Sequence, residues 1–317
     1  MRRLIECVPN FSEGRDPSRI RAIVGAMSGV AGSWVLDCHS DPDHNRTVVT
    51  LAGQPEGVEK AILEGVRKAT ELIDLRNHSG VHPRLGATDV IPFVPIESAT
   101  MEECVAIAHR VGREIWQRFQ IPVYFYGAAS ISPERSALEA VRKGQFEKLR
   151  KEIGQSADRA PDVGEAQVHP SAGAIAVSAR KPLVAFNVNL NTSDVCKADK
   201  IARAIRRFRD TVLPGVKAMG VLLESRRQAQ VSMNITDFEV TPLRRVFEVV
   251  SEEAARHGCA AAGSEIVGLV PRKALDQMDL ALLHVERFSP SMILENQLAK
   301  VLAGEGLERI STMECGL

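Results

Sequence analysis

The sequence predicts an α/β (α+β) protein of two ferredoxin-like lobes, each of βαββαβ type, with mixed sheets packed around a cleft. Three observations carry that expectation. The order strand-helix-strand-strand-helix-strand is legible from residue 4 to 95 and again from 183 to 269, the split-βαβ arrangement. Each copy opens on an apolar strand ending in polar turn residues, Ile5-Glu-Cys-Val-Pro-Asn-Phe11 and Val184-Ala-Phe-Asn-Val-Asn-Leu190. The 317 residues are long for one small domain and suit two modest ones. The N-terminal subdomain is expected over 1–179, including a connector at about 132–178, and the C-terminal subdomain over 180–317.

In order, Leu4 to Val8 reads as a short strand before a polar turn. Asp16-Pro17 is an N-cap followed by proline at the first helical position, and Ile20, Ile23, Val24 and Met27 give that helix its apolar face. Strands follow at Ser33 to Cys38 and Arg46 to Ala52, then an amphipathic helix from Pro55 to Leu72 and a strand near Val90 to Pro95. A helix at Met101 to Arg118 and a strand at Val123 to Tyr126 extend the lobe. Ser132 to Val163 is charged and helical in pattern, and a Pro/Gly-bearing loop runs on to Ser178. The second lobe reads as a strand at Val184 to Leu190, a helix at Lys197 to Val212, and strands near Val216 to Glu224 and Ala229 to Asn234. A helix beginning at Thr241 with Pro242 in its first position and a strand at Glu265 to Leu269 close it.

Composition narrows the function classes. Forty basic and forty acidic residues cancel, which speaks against a general nucleic-acid or membrane-surface binder. Aromatics make up 4%, so the core must be built from aliphatic side chains. The six cysteines are scattered and none forms a C-x-x-C pair, which suggests neither a zinc ribbon nor a disulfide scaffold. Glu6 interrupts the apolar start before a signal peptide could form, and no stretch approaches membrane-spanning length. The expectation is a soluble cytoplasmic protein.

Chemistry-bearing residues concentrate in Asn77-His-Ser-Gly-Val-His-Pro-Arg-Leu-Gly-Ala-Thr-Asp-Val-Ile-Pro-Phe-Val-Pro-Ile96. Pro83 holds His82 extended, and Gly80 and Gly86 permit unusual backbone shapes, so His82 sits on a stiff loop feeding a strand. A histidine held there can exchange protons near neutral pH. The residues alone leave open whether it does so or merely caps the turn. Asp37-Cys-His-Ser-Asp-Pro-Asp-His-Asn-Arg46 reads as a crowded strand-to-strand loop, either a solvated hairpin or a polar wall facing His82. It lacks the glycine and glutamate of a calcium loop, and Gly80 and Pro83 spoil the helix that would align His78 with His82 on a metal, so none is expected. Val168-His-Pro-Ser-Ala-Gly-Ala-Ile-Ala-Val177 is a small-residue seam, open to tight packing or to close approach of a planar ligand. Glu265 is either a cleft residue or an exposed one, and the basic helix from Lys197 to Arg209 reads as a solvated face. No phosphate-binding glycine loop or nucleophile elbow occurs.

Taken together these stretches resemble the glutamate formiminotransferases, folate-dependent enzymes of histidine breakdown that many animals carry fused to a cyclodeaminase. The resemblance covers the chain to about residue 300. It rests on Glu6-Cys-Val-Pro-Asn-Phe-Ser-Glu-Gly14, Asn45-Arg-Thr-Val48, His82-Pro-Arg-Leu-Gly-Ala-Thr-Asp-Val-Ile-Pro-Phe-Val-Pro95, Val123-Tyr-Phe-Tyr-Gly127, Ala185-Phe-Asn-Val-Asn-Leu190 and Gly263-Ser-Glu-Ile-Val-Gly-Leu-Val-Pro271. It implies a homodimeric transferase that binds tetrahydrofolate, its co-substrate, in a groove between two lobes. The family's catalytic histidine falls on His82. Its folate-binding segment falls on Val168, His169, Pro170, Ser171, Ala172, Gly173, Ala174, Ile175, Ala176 and Val177. The chain stops at residue 317, so a stand-alone protein is expected, with a separate cyclodeaminase as a candidate partner. Ser178 stands where many relatives have glycine. His39 stands where animal members carry an aspartate, which leaves Asp37 and Asp41 as local substitutes to assist His82, with His39 and His44 beside them. Asn10, Arg46 and Arg84 are the substrate-binding candidates, the arginines because a guanidinium pairs bidentately with carboxylate.

The chemistry so implied is attack of N5 of tetrahydrofolate on the amidine carbon of N-formimino-L-glutamate. Glutamate's amine then leaves protonated, with His82 as general acid and a carboxylate favouring its charged form. Two other readings use the same groove: a folate enzyme handling formyl groups, such as 5-formyltetrahydrofolate, and a non-catalytic folate-binding protein.

Overall fold

The computed structural model describes residues 3–275 and 283–304. Cys315 and the end of the expected C-terminal subdomain lie outside them. Among these residues the chain divides into two compact units meeting at Arg180/Lys181.

The first unit begins with β1 (Leu4–Cys7) and β2 (Asn10–Phe11), then α1 (Pro17–Ser28), β3 (Ser33–Asp41), β4 (Arg46–Gly53), α2 (Pro55–Leu72), β5 (Thr88–Glu97), α3 (Met101–Phe119) and β6 (Val123–Gly127). Two short helices follow, α4 (Leu138–Val141) and α5 (Gln145–Glu152), and then β7 (Ile175–Ala179). Strands β1 and β2 both pair with β4 and β5, so they are two halves of one strand interrupted at Val8-Pro9. The resulting order is β3, β4, β1/β2, β5, with all these pairings antiparallel, the ferredoxin-like core. Beyond it β7 lies parallel to β5, and β6 parallel to β7.

Local chemistry accounts for the ends of the helices. Asp16 accepts from the backbone N–H groups of Ser18 and Arg19 before Pro17 starts α1. Thr100 and Glu103 form a reciprocal capping box on α3. The apolar residues of α1, α2 and α3, among them Ile23, Met27, Ile62, Val66, Ile107 and Val111, join Ile5, Phe11, Leu51, Phe93 and Phe125 of the sheet in one core.

The second unit contains β8 (Val184–Leu190), α6 (Val195–Arg207), β9 (Val216–Leu223), β10 (Gln228–Ile235), α7 (Leu243–Arg256), β11 (Ala261–Val267), α8 (Arg272–Leu275) and α9 (Leu294–Leu302). Its four strands run in the order β11, β8, β10, β9, every pair antiparallel. Phe186, Val188, Val231 and Met233 pack with Ile201, Ile205, Val246 and Val250 of α6 and α7 in a separate core.

Several expectations are corrected. The loop read up to Ser178 hides a strand, β7, every residue of which is buried. Ser132 to Val163 forms short helical pieces, not one long element. Pro242 is the N-cap of α7, extended at ψ 145°, with the helix starting one residue later. The last strand covers Ala261–Val267, not Glu265 to Leu269, and the second sheet is purely antiparallel. The supposed loop from Asp37 to Arg46 is mostly strand: β3 continues through Asp41 and only Pro42 to Asn45 turn.

Two glycines make opposite predictions. Gly86 bridges Gly173, and a Cβ there would run into the carbonyl oxygens of Ala174 and Thr88, which are backbone and cannot yield. Gly25 lies exposed in α1 with nothing within 4 Å of its missing Cβ. Gly86→Ala is expected to destabilise the protein by about 2–3 kcal/mol. Gly25→Ala is expected to stabilise it by about 0.5–1 kcal/mol. Chemical denaturation of the two variants beside wild type checks both signs.

Candidate active site

Side chains alternate across a sheet, and directly paired residues share a face. The pairs Asp41/Arg46 and His39/Val48, with Asn10 beside Val48 and Val90, therefore lie on one face of the first sheet. The core side chains of α1, α2 and α3 pack against the other. The turn after β3 is tight: Asp41 Oδ1 accepts from His44 N at 2.8 Å, and Asn45 takes the left-handed conformation at φ 48°.

Asn45 holds this hairpin against two other loops. Its Oδ1 accepts from Gly14 N at 2.9 Å and its Nδ2 donates to Ser79 O at 2.8 Å. Gly14 and Gly80 are glycine because a Cβ on either would collide with the hairpin backbone, at Asp41 O and Arg46 N or at His44 O. Val81 N adds a bond to Asp43 O. The far side of the histidine loop is zipped to residues 171–174 by Leu75 N to Ser171 O, Ala87 N to Ala172 O and Ala174 N to Leu85 O.

So strapped, His82 meets Arg46. One guanidinium nitrogen, Nη1, lies 3.3 Å from Nδ1 and 3.2 Å from Nε2 of the imidazole, spanning the ring without singling out either nitrogen. The His44 ring stands 5.9 Å from the His82 ring. Burial is the first cause that holds the His82 pKa well below its usual value, and the charges of Arg46, Arg142 and His44 push the same way. Burial and the neighbouring Arg142 also draw the Arg46 pKa down to about 10, with Asp41 and Asp89 opposing, so Arg46 remains cationic at neutral pH. Arg142, just after α4, ion-pairs with Asp89, whose other oxygen accepts from Leu85 N at 2.7 Å. The Nε–H groups of Arg46 and Arg142 are both buried and hydrogen-bond to nothing among the described residues. Two guanidiniums with unpaired donors flank a neutral imidazole, an arrangement suited to an anion.

The candidates distribute unevenly. His82, His44 and Arg46 come together, and Asp41 joins them through its charge on Arg46. Asp37 and His39 lie further along β3, and burial raises the Asp37 pKa against the opposing influence of His39. No carboxylate hydrogen-bonds to His82 among the described residues, and the charges bearing on it are cationic. Asn10 is half-buried, its Nδ2 donating to Val8 O.

Arg84 requires a correction. The residue is 7% exposed, and its guanidinium donates to His78 Nδ1, His78 O, Gln145 Oε1 and both Glu147 oxygens. All five donors are engaged, so none is left for a substrate carboxylate. The segment Val168 to Val177 also divides. His169, Pro170 and Ser171 are accessible, while Val168 and the run from Ala172 to Val177 are buried. The sequence reading missed Arg142, hidden in a charged helical stretch, and Asp89, present in the histidine motif but given no role. Among the described residues no group of three or more His, Cys, Asp or Glu could hold a metal ion. Nor is any helix among them long and apolar enough to cross a membrane.

A neutral His82 has a measurable signature. Its imidazole resonances are expected to stay in the neutral form well below pH 6.5. Arg142→Met is expected to raise the pKa by removing a cation and leaving Asp89 unpaired, as an NMR titration would show. Because the folded pKa is depressed, protonation favours the unfolded chain. Stability from this group is therefore present above about pH 6.5 and lost as pH falls towards the folded value.

Residues 4–180 match the N-terminal subdomain of the formiminotransferase domain, and residues 185–315 match the formiminotransferase domain. The glutamate formimidoyltransferase of Streptococcus pyogenes serotype M1 is 45% identical over 94% of this chain and 99% of its own length. That of Thermoplasma acidophilum is 42% identical over 94% of this chain and 98% of its own. The mouse formimidoyltransferase-cyclodeaminase is 40% identical over 99% of this chain, which spans 58% of the mouse protein. With both halves matched in order and relatives aligned nearly end to end, the chain belongs to the formiminotransferase family.

Proposed function

We propose that this protein transfers the formimino group of N-formimino-L-glutamate to N5 of tetrahydrofolate, with His82 carrying the proton between the two nitrogens. The observation that supports this reading most directly is the environment of His82: a buried, neutral imidazole on a strapped loop between Arg46 and Arg142. The unpaired guanidinium donors suit the substrate's carboxylates, so Arg142 takes the role first expected of Arg84. Asn10 and His39 line the same sheet face, and the accessible tip His169-Pro170-Ser171 is the part of the folate segment left to meet a ligand.

The proton chemistry follows from neutrality. N5 attacks the carbon of the protonated amidine, a C–N5 bond forms as the C=N π pair moves onto the amidine nitrogen, and N5 becomes cationic. Neutral His82 accepts the N5 proton as a general base. The resulting imidazolium, held beside guanidiniums that disfavour it, is a strong acid and gives the proton to the glutamate nitrogen. The C–N bond to glutamate then breaks as a lone pair on the retained nitrogen re-forms the C=N bond, and the amine leaves. His82 thus acts as base before it acts as acid, and no carboxylate partner is needed for the first step. Substrate carboxylates pairing with Arg46 and Arg142 would soften the guanidinium field and bring the imidazole towards a pKa suited to both transfers. Holding both reactants in register supplies much of the remaining acceleration. On the strength of the resemblance, the reading includes a cytoplasmic homodimer.

Purified protein mixed with formiminoglutamate and tetrahydrofolate is expected to release glutamate only when both are present. His82→Ala is expected to lower kcat by about 10²- to 10⁴-fold. The acid limb of kcat/KM should fall below pH 6.5 and move upward in Arg142→Met. Folate binding without turnover would move the assignment to a binding protein, and transfer from a formyl donor alone would move it to formyl chemistry.

A further inference from the structure

The two guanidiniums that bear on His82 arrive by different routes. Arg46 starts the strand after the hairpin that Asn45 straps to the histidine loop, whereas Arg142 belongs to the segment between α4 and α5. That segment turns sharply. Gln145 N bonds back to Arg142 O at 2.8 Å, and Gly144 and Gln145 both take positive φ, 80° and 57°. Glycine adopts that conformation freely, but glutamine does so at a cost that its surroundings must offset.

Arg84 supplies the offset from the histidine loop itself, since it follows His82 and Pro83 directly. Its Nη1 donates to Gln145 Oε1 at 3.1 Å and to Glu147 Oε2 at 3.0 Å, and its Nη2 donates to Glu147 Oε1 at 2.6 Å. Its carbonyl accepts from Phe146 N at 3.0 Å, so main chain and side chain grip the same turn. His78 holds the guanidinium from the other side. Arg84 Nε can only donate, and it donates to His78 Nδ1 at 2.9 Å, which makes Nδ1 the acceptor. The His78 proton therefore lies on Nε2 and goes to Asn45 O at 3.1 Å. Burial, the first cause, and the Arg84 charge hold the His78 pKa below its usual value, with the Asn45 bond opposing, in keeping with a neutral ring. One unbroken chain of hydrogen bonds thus runs from the hairpin beside Arg46, through His78 and Arg84, to the turn that carries Arg142.

We infer that Arg84, braced by His78 and Glu147, is a positioning residue that keeps Arg142 beside His82. Its own donors are all engaged, so it acts on the imidazole through Arg142 and not by contact. Asp89 pairs with the Arg142 guanidinium, and the turn fixes the backbone behind it. With the turn released, the cation is no longer held close to the imidazole. Arg46 and His44, the other charges facing that ring, flank Asn45, which is tied to Gly14 and Ser79 independently of Arg84. The meaning for catalysis rests on the formimino-transfer reading; the effect on His82 does not.

The test is Glu147→Ala, chosen because the Glu147 side chain is 60% exposed and its truncation leaves Arg84 in place. Two effects on His82 then have opposite signs. Loss of a carboxylate's charge alone lowers the imidazole pKa, whereas withdrawal of Arg142 raises it. The NMR titration of His82 is expected to move upward in Glu147→Ala, and kcat/KM for formiminoglutamate to fall about tenfold. In an Arg142→Met background, Glu147→Ala is expected to produce no further shift. A titration that stays put or moves down overturns the inference, even where thermal stability is lost. An upward shift of the same size in both backgrounds overturns it too. Should Arg142→Met fail to fold, the sign of the shift in Glu147→Ala alone decides. Wild type without turnover removes the functional reading, while the titration still decides the role of Arg84.

Discussion

The carboxamide of Asn45 accepts from Gly14 and donates to Ser79, tying the β3–β4 hairpin to the loop before α1 and to the loop that carries His82. Each such bond contributes only about 1 kcal/mol net. Their importance lies in what they bring into contact. Three backbones approach so closely that Gly14 and Gly80 have no room for a Cβ, and Asn45 itself adopts a conformation that few other residues tolerate. The same hairpin ends in Arg46, the first residue of β4, so the hydrogen bond that orders the loop also decides which cation His82 meets. Arg84, which looks like a substrate ligand, serves the same end by clamping His78 and the start of α5. His78 in turn bonds the Asn45 carbonyl through Nε2, at 3.1 Å.

Electrostatics then follow from placement. Two guanidiniums near one another repel, and burial adds to the penalty, yet both Arg46 and Arg142 are retained at the edge of the site. Asp89 compensates on one side. It is itself fixed by Leu85 N, within the stretch zipped to residues 172–174. The compensation is incomplete, since two Nε–H donors remain unpaired. Incomplete pairing of buried charges is destabilising in isolation and is a common mark of a binding site.

Much of this was legible in the sequence, for identifiable reasons. Helix α1 begins where Pro17 follows the Asp16 cap, α2 begins at Pro55 with an amphipathic run behind it, and β8 spans Val184–Leu190 because its apolar run is bounded by turn residues. The placement of His82 on a loop feeding a strand follows from Pro83 and two glycines. Strand β7 escaped because Ile175-Ala-Val-Ser-Ala179 is buried on both faces and built of small residues, so it has neither alternation nor bulk to announce it. The polar run from Asp37 to Asp41 looked like a loop because β3 is an edge strand that alternates half-buried polar and buried residues. Arg142 was illegible for a different reason. Periodicity reports which face of a helix is apolar, and it cannot report that a charged residue at a helix end reaches an aspartate fifty-three positions earlier.

In the mechanism we propose, the order of proton transfers turns on these details. A carboxylate beside His82 would have favoured the imidazolium at rest and made the general acid the natural first actor. The surroundings are cationic instead and keep the imidazole neutral, which on the proposed mechanism leaves it free to take the proton that N5 must lose after attack. The field that keeps it neutral also makes its conjugate acid eager to release that proton to the departing amine. A histidine flanked by cations is therefore weak as a base and strong as an acid, and the bound substrate's carboxylates would moderate the first property while the second remains available. On this reading the anion-binding groups and the proton carrier form one device, because the charge that positions the substrate is the charge that sets the imidazole's pKa.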